Sequence, residues 1–227
     1  MTVISKKLAR SIFGIWHKVK FWLLTFRKDA GYKEYLQAQF VRSNSKKDQD
    51  INLRTKLLVD KIVELSSFAV IPEVLCVGCR NKQELEYFLT RGITNVVGID
   101  LFSESQDIFV MDMHEMTFQD GRFDIVYSSH SLEHSYDPNK VVREIIRVAR
   151  PNALIAIEVP VHYEVRGTDR FDFGDTETIH KLFGDNFIKA LWSEDLPLGH
   201  PRNDDGTAIA RTIFQISKKI QDEGKNL

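Results

Sequence analysis

From residue 73 onward, short apolar runs alternate with stretches of helical periodicity. The apolar runs read VLCV, NVVGID, DIFVMD, FDIVYSS and ALIAIEVP, and the helical stretches between them include QELEYFLT and NKVVREIIRVA. Strands this continuously apolar are expected where helices cover both faces of a parallel sheet. The alternation predicts one α/β domain, completed by a helix near residues 176–183 and two strand-like runs, FIKALW and AIARTIFQIS.

The N-terminal segment differs from this domain in charge. Residues 1–47 contain eleven Lys or Arg against Asp29 and Glu34, a net charge of +9, so the remaining residues carry −10 of the total of −1. Six apolar residues recur there at helical spacing and predict a basic amphipathic helix: Leu8, Ile12, Ile15, Val19, Trp22 and Phe26. Such a helix fits anionic lipid headgroups, nucleic acid or the acidic body of the same chain.

A polar run, SNSKKDQD at residues 43–50, has no apolar periodicity and predicts a linker. We therefore expect a helical extension over residues 1–47, the α/β domain over 48–220 and a tail over 221–227. Five apolar residues predict that the domain begins with a helix that ends near Ser66: Leu53, Leu57, Leu58, Ile62 and Leu65.

Composition limits the compartment and the class of protein. With 43% hydrophobic and 28% charged residues, the chain resembles an ordinary globular protein. No apolar run approaches the roughly 20 residues that span a bilayer, and no cleavage site for a signal peptide is evident. The two cysteines, Cys76 and Cys79, are too close together in sequence to form a disulfide that stabilises a secreted domain. We expect a cytoplasmic protein, either free or at the membrane periphery.

The first predicted strand leads into a glycine turn, which is where open α/β sheets bind nucleotide-like ligands. Gly78 follows that strand, and the second strand ends about twenty residues later at Asp100. A carboxylate at this point can accept hydrogen bonds from both hydroxyls of a ribose. This pair alone is a weak signal.

Further motifs strengthen the signal. The ordered segments VLCVGCR, VVGID, VMDM, FDIVYSSHSLEHSYDP and VVREIIRVARPNALIAIEVP resemble the motifs of class I S-adenosylmethionine-dependent methyltransferases, particularly the branch related to quinone-biosynthesis enzymes. The resemblance covers roughly residues 54–217 and is strongest over 74–160. It implies a Rossmann-like, mostly parallel sheet with an antiparallel last strand, here with an N-terminal helical extension, and S-adenosylmethionine as the cofactor.

The resemblance also implies roles for individual residues. Gly78 and Cys79 approach the methionine part, Asp100 holds the ribose, Asp112 accepts from the adenine amino group, and Met113 lies beside the ring. The end of the fourth strand, from Ser128 to His130, lies beneath the sulfonium. The full implied cofactor set is Gly78, Cys79, Arg80, Glu84, Asp100, Leu101, Asp112, Met113, Ser128 and Ser129.

The first motif departs from the family pattern. Related enzymes usually have Gly-x-Gly-x-Gly where this chain has Gly78-Cys79-Arg80-Asn81-Lys82. Some relatives do carry an arginine in the loop and a glutamate just inside the helix, which would make Glu84 the anchor of the methionine amino group. Arg80 then either faces the methionine carboxylate or blocks the pocket of a relative that binds no cofactor.

Two histidines follow the fourth strand, at the mouth of the expected pocket. His130 and His134 are the candidate catalytic bases, since a histidine can take a proton from an acceptor hydroxyl as the methyl group arrives. For His134 a role in organising the loop is the stronger alternative. Cys76 and Cys79 also form a C-x-x-C pair, but packing explains it better than redox or metal chemistry, and no ligand spacing in the chain calls for a metal.

A long polar and aromatic stretch follows the fifth strand, at residues 161–173. Long loops at this edge of a sheet often cover or select substrates. His162, Tyr163, Arg166 and Arg170 are therefore candidates for acceptor contact, although a solvated loop is an equal alternative.

The function that fits best is methyl transfer from S-adenosylmethionine to a small-molecule or glycan-like acceptor, at oxygen. The alternative from another class is a non-catalytic methyltransferase-like scaffold, recruited to a partner or membrane by its basic helix. A nicotinamide-dependent oxidoreductase shares Asp100 but fits the later motifs less well. Residues 1–28 are expected to make a peripheral membrane contact or a homo-oligomer contact, whereas the acidic domain disfavours nucleic acid.

Overall fold

The computed structural model describes residues 19, 21–26, 28–66, 69–103, 105–203 and 206–217. The predicted amphipathic helix of residues 8–26 lies mostly outside this part of the chain. Its membrane and oligomer contacts stay predictions.

Seven strands form one sheet, with β1 at Glu73–Val77, β2 at Asn95–Asp100, β3 at Ile108–Val110, β4 at Phe123–Ser129, β5 at Ala149–Pro160, β6 at Phe187–Leu196 and β7 at Ile209–Ile216. Their order is β3-β2-β1-β4-β5-β7-β6. Strands β1 to β5 pair in parallel, and β7 runs antiparallel to both of its neighbours. The predicted Rossmann-like sheet with an antiparallel last strand is confirmed.

The described helices are α1 at Ala30–Ser45, α2 at Leu53–Leu65, α3 at Gln83–Thr90, α4 at Pro138–Val148 and α5 at Thr176–Leu182. Local chemistry explains where α4 begins: the Asp137 side chain accepts from the Lys140 amide, and Pro138 occupies the first turn, where its missing N–H costs nothing. The predicted helix from Leu53 to Leu65 is confirmed.

Two apolar cores lie on opposite faces of the sheet. Alternate residues of β1 supply them, with Leu75 and Val77 in one core and Val74 and Cys76 in the other. Burial raises the pKa of both cysteine thiols well above the usual range. Neither thiol is therefore a thiolate at neutral pH, which agrees with a packing role for the pair.

A third, smaller apolar cluster attaches α1 to the edge of the sheet domain. It contains Phe21, Tyr32, Tyr35 and Leu36, with Phe40 and Leu101 against it. Trp22, Leu23 and Phe26 are exposed. Within the described ranges, no helix combines the length and the apolar character that crossing a membrane requires.

The polar run at residues 43–50 is not a free linker. Helix α1 continues through Ser45, and the loop after β1 holds the residues that follow. The Asn81 side-chain amide donates to the carbonyls of Lys47 and Gln49, at 3.0 and 2.9 Å. Because these bonds replace water as the partner of the polar backbone, the segment is fixed to the domain despite its lack of apolar periodicity.

Candidate active site

A cavity opens at the carboxyl ends of β1 to β4. The strand order reverses between β1 and β4, so the connections leaving these strands diverge and leave a crevice. Helix α1 and the segment after it form the opposite wall. The lining side chains are Tyr35, Gln39, Arg42, Ser43, Lys46, Gln49, Asn52, Arg54, Gly78, Arg80, Ile99, Asp100, Leu101, Met111, Asp112, Met113, His130, Ser131 and His134.

The turn after β1 is tightly constrained. Gly78 has φ 77°, and its amide donates to the Ile99 carbonyl at 2.8 Å. A Cβ on Gly78 would lie 2.3 Å from the Cβ of Ser131. Arg80 follows with φ 41°, a left-handed conformation that costs most residues about 1–2 kcal/mol. The single glycine of this turn is therefore placed where a side chain does not fit.

The Gly78→Ala variant is expected to lose about 2–5 kcal/mol of stability. Left-handed strain contributes about 1–2 kcal/mol and the collision with Ser131 about 1–3 kcal/mol. Gly167→Ala is the matched control, because Gly167 has φ 65° but nothing within 4 Å of the added Cβ. Urea unfolding of both variants measures the difference, and equal losses would mean that the collision is relieved at no cost.

Asp100 ends β2 and is 8% exposed. Its Oδ2 accepts from the Arg80 amide at 2.9 Å, its Oδ1 accepts from the Phe102 amide at 3.1 Å, and the Ser43 hydroxyl makes a third hydrogen bond. Burial raises the pKa of this carboxyl, while those three bonds oppose the rise. The turn after β1 and helix α1 thus both contact the Asp100 carboxylate.

Asp112 lies in the segment after β3, across the cavity from α1. Its Oδ1 accepts from the His114 amide at 2.9 Å and contacts the His114 ring at 2.7 Å, and its Oδ2 accepts from the Tyr32 hydroxyl at 2.8 Å. Burial acts to raise the pKa of Asp112, but the His114 contacts outweigh it and the pKa is lowered. Asp112 is therefore an ionised acceptor at neutral pH.

Removing the Tyr32 hydroxyl is expected to destabilise the fold. The bond to Asp112 is buried and its acceptor is charged, so Tyr32→Phe should cost about 1.5–3 kcal/mol. Tyr163→Phe is the control, since its hydroxyl donates to the neutral Phe171 carbonyl and should cost about 1 kcal/mol. Thermal and urea unfolding measure both variants; an equal or smaller loss in Tyr32→Phe would contradict the assigned strength of the bond.

His130 stands between two buried carboxylates. Its Nε2 is 3.3 Å from Glu158 Oε1 and its Nδ1 is 3.8 Å from Glu133 Oε1. The backbone at His130 is left-handed, with φ 51°, and its amide donates to the Glu158 carbonyl at 2.8 Å. Strained backbone of this kind concentrates at functional sites.

Glu158 has further cationic neighbours behind the cavity wall. It is fully buried, with Arg54 Nε at 3.4 Å and Arg211 Nη1 at 3.6 Å. Burial acts to raise the pKa of Glu158, but His130, Arg54 and Arg211 together lower it. The His130 ring thus rests on an ionised, paired carboxylate.

His134 lies on the same wall and shares Glu133 with His130, but its second carboxylate partner is Asp169. Its Nδ1 is 2.9 Å from Asp169 Oδ1, and its Nε2 is 3.4 Å from Glu133 Oε1. The Gln39 amide of α1 donates to the Thr168 carbonyl at 2.9 Å. These contacts join the loop after β4, the loop after β5 and helix α1, which suits the organising role that was the alternative for His134.

Four of the expected cofactor residues do not line the cavity. The Cys79 thiol faces Gly98 and the Ile99 carbonyl in the core. Ser128 Oγ bonds Ser131 Oγ at 2.7 Å, and Ser129 Oγ donates to Glu158 at 3.3 Å, so both hydroxyls are used inside the fold. Glu84 stays behind the turn, where burial raises its pKa to about 8. Gly78, Arg80, Asp100, Leu101, Asp112 and Met113 do line it, as do His130 and His134.

The long loop after β5 meets the site through residues other than those expected. Arg166 is exposed, Tyr163 bonds within the loop, and Arg170 stacks on the ring of Tyr136. Thr168 and Asp169 make the contacts to α1 and His134 instead. Their short polar side chains have no distinctive pattern in the sequence.

Sequence reasoning also missed the contribution of α1. Tyr32, Tyr35, Gln39, Arg42 and Ser43 all lie on it and contact the cavity or its carboxylates. The spacing of Tyr32, Tyr35, Leu36, Gln39 and Phe40 is the signal that would have indicated a helix with one buried face. In the described part of the chain, no group of three or more His, Cys, Asp or Glu side chains is arranged to hold a metal.

Known proteins resemble this chain in sequence. A family model described as "Methyltransferase domain" matches residues 75–157. Ajmaline N-methyltransferase of Rauvolfia serpentina is 32% identical over 99 residues, which are 43% of this chain and 32% of that protein. Tocopherol O-methyltransferase of Arabidopsis thaliana is 30% identical over 142 residues, 55% of this chain and 41% of that protein. This chain therefore spans less than half the length of these two curated relatives.

A solved structure resembles the chain over most of its length. It is the 1,6-didemethyltoxoflavin-N1-methyltransferase of Burkholderia thailandensis with bound 1,6-didemethyltoxoflavin and S-adenosylhomocysteine. The TM-score is 0.64 at 17% identity, with 82% of this chain and 89% of that chain covered. Such a likeness shows a shared fold. Residues 75–157 match the methyltransferase-domain model, and the chain shares the fold of class I S-adenosylmethionine-dependent methyltransferases.

Proposed function

We propose that this chain is an enzyme that transfers a methyl group from S-adenosylmethionine to an oxygen of a small-molecule acceptor. The proposal rests on the position of Asp100 at the carboxyl end of β2. This buried carboxylate lines the cavity and is oriented by backbone N–H groups. Relatives that methylate small molecules at nitrogen and at oxygen support the class of reaction.

The residues present fit the cofactor. A carboxylate offers about four acceptor positions. Three donors occupy those of Asp100, and one of these is the exchangeable hydroxyl of Ser43. Three donors also occupy Asp112, which leaves one position on its Oδ2. Asp100 therefore has capacity for the ribose hydroxyls and Asp112 for the adenine amino group.

In the proposed reaction, the residues of this chain position the cofactor and cover the cavity that holds it. S-adenosylmethionine, when bound, supplies a methyl group on a positively charged sulfur. Gly78 lets the backbone approach the ligand, and Asp100 and Asp112 fix its orientation. Helix α1 covers the cavity from the opposite side. Because methyl displacement is in line, such orientation can lower the barrier by about 7–11 kcal/mol.

An oxygen acceptor needs a group that takes its proton, and His130 is the candidate. Its ring lines the cavity and lies between the carboxylates of Glu158 and Glu133. Glu158 and Glu133 would stabilise the positive charge that the ring acquires when it accepts a proton. His134 organises the loops beside it.

Titration calorimetry with S-adenosylmethionine and S-adenosylhomocysteine tests the binding step. We expect saturable binding of both. If neither ligand binds, the non-catalytic scaffold is the better description of the chain.

His130→Asn tests the proton transfer, because asparagine tolerates the left-handed backbone at this position while lacking the base. Turnover should fall about 100-fold or more with cofactor affinity unchanged. Release of S-adenosylhomocysteine in a screen of hydroxyl-bearing acceptors is the measurement, and His200→Asn is the control, because His200 does not line the cavity. Unchanged turnover in His130→Asn would exclude His130 as the base.

A further inference from the structure

The wall of the cavity is unusually rich in cations. Four basic side chains line it: Arg42 from α1, Lys46 just after α1, Arg54 from α2 and Arg80 from the turn after β1. The acidic side chains on the same wall are Asp100 and Asp112. The cavity therefore carries more positive than negative charge.

The four basic side chains differ in the groups that pair with them. Arg54 lies 3.4 Å from Glu158, and Arg42 lies 3.4 Å from Asp169 while donating to Thr168 Oγ1 at 2.7 Å. Arg80 donates to the neutral Gln49 side chain at 3.0 Å. For Lys46, no carboxylate among the described residues comes within ion-pair distance.

Lys46 is thus a partly buried cation among other cations. Burial lowers its pKa, and the positive charges of Arg42, Arg80 and Arg54 lower it further, whereas Asp169 acts weakly in the other direction. Crowding of like charges in a partly desolvated wall is unfavourable in the free protein. An anion bound between them removes that cost.

S-adenosylmethionine does not carry enough negative charge to balance these cations. Its sulfonium and amino groups are positive and its carboxylate is negative, so it brings one net positive charge into the cavity. The Arg80 side chain lines the cavity at the turn after β1 and suits the single carboxylate. Arg42 and Lys46 remain, and Arg42 contacts Thr168 and Asp169, the second of which also contacts the cavity-lining His134.

We infer that the methyl acceptor carries a negatively charged group, a phosphate or a carboxylate, which binds between Lys46 and Arg42. The inference rests on the proposed function and adds the substrate class to it. The anionic group anchors the acceptor at the α1 side of the cavity, and His130, on the opposite wall after β4, faces the part that is methylated.

The test is calorimetric titration of the full chain, saturated with S-adenosylhomocysteine, with pyrophosphate and with citrate as probes. At least one of the two should bind, and which one binds distinguishes a phosphate site from a carboxylate site. Lys46→Gln should weaken that binding about 10-fold to 100-fold, since hydrogen bonds to charged groups are the strong ones. Lys189→Gln, on exposed strand β6, should leave it unchanged.

Three results would overturn the inference. These are no binding of either probe to the saturated protein, probe binding that S-adenosylhomocysteine displaces, and equal affinity in Lys46→Gln. Displacement would assign the cations to the cofactor carboxylate. Failure of S-adenosylhomocysteine itself to bind would instead refute the proposed function, and the acceptor assignment would fall with it.

Discussion

Replacing Asp100 by asparagine is expected to weaken binding of S-adenosylmethionine and S-adenosylhomocysteine about 100-fold or more. The variant keeps the shape of the side chain but loses the charge and half of the acceptor positions. Each hydrogen bond to a charged group contributes about 1.5–3 kcal/mol, and in the proposed site two ribose hydroxyls would bond this carboxylate. Titration calorimetry measures the loss directly.

Asp124→Asn is the matched control for Asp100→Asn. Asp124 is also a carboxylate at the end of a sheet strand, and it accepts from the Glu73 amide at 2.9 Å and from Arg150 at 2.5 Å. It lies at the amino end of β4, away from the cavity, so cofactor affinity should stay within about twofold. Similar affinity in Asp100→Asn and the wild type would remove the main support for the proposed cofactor site.

Glu158→Gln is expected to cost about 3–5 kcal/mol of folding stability. Removing one partner of a buried ionic cluster leaves the remaining charges desolvated and unbalanced. Here the neighbouring cations are Arg211, which is 1% exposed, Arg54 and the His130 ring. Urea unfolding measures the loss. Glu177→Gln is the control, because its pair with Lys181 is highly exposed and screened by solvent, so it should contribute little to stability.

Glu158→Gln should also change how the folding stability depends on pH. The pKa of Glu158 in the folded chain lies below its usual value of 4.5, so its contribution to stability is present above that pH and is lost as the pH falls. Glu158→Gln should therefore lose less stability than the wild type as the pH falls below about 4.5. Parallel pH profiles for the two proteins would mean that Glu158 is not ionised in the fold.

Much of the fold could be predicted because the sheet is covered on both faces. This burial makes the strands appear as apolar runs, and the predicted run FDIVYSS coincides with β4 at Phe123–Ser129. Asp100 and Asp112 were also predictable as neighbours of one pocket, since the carboxyl ends of parallel strands meet at one edge of a sheet.

Side-chain direction and long-range contacts were not predictable in this way. Ser128 and Ser129 end the expected strand, but the sequence does not show that both hydroxyls bond inside the fold. The bond from Tyr32 to Asp112 joins residues 80 positions apart. Similarly, the polar run at residues 43–50 has no apolar pattern, and the side-chain bonds from Arg80, Asn81 and Gln83 show why it is fixed.

Helix α1 gives the chain a reciprocal energetic link between its N-terminal side and its cofactor cavity. Two hydroxyls on this one helix, those of Tyr32 and Ser43, bond the carboxylates Asp112 and Asp100. Any event that shifts α1 therefore alters both acceptors together. Consider a ligand that binds the segment before α1 and changes cofactor affinity by some factor. By thermodynamic reciprocity, bound cofactor changes the affinity for that ligand by the same factor.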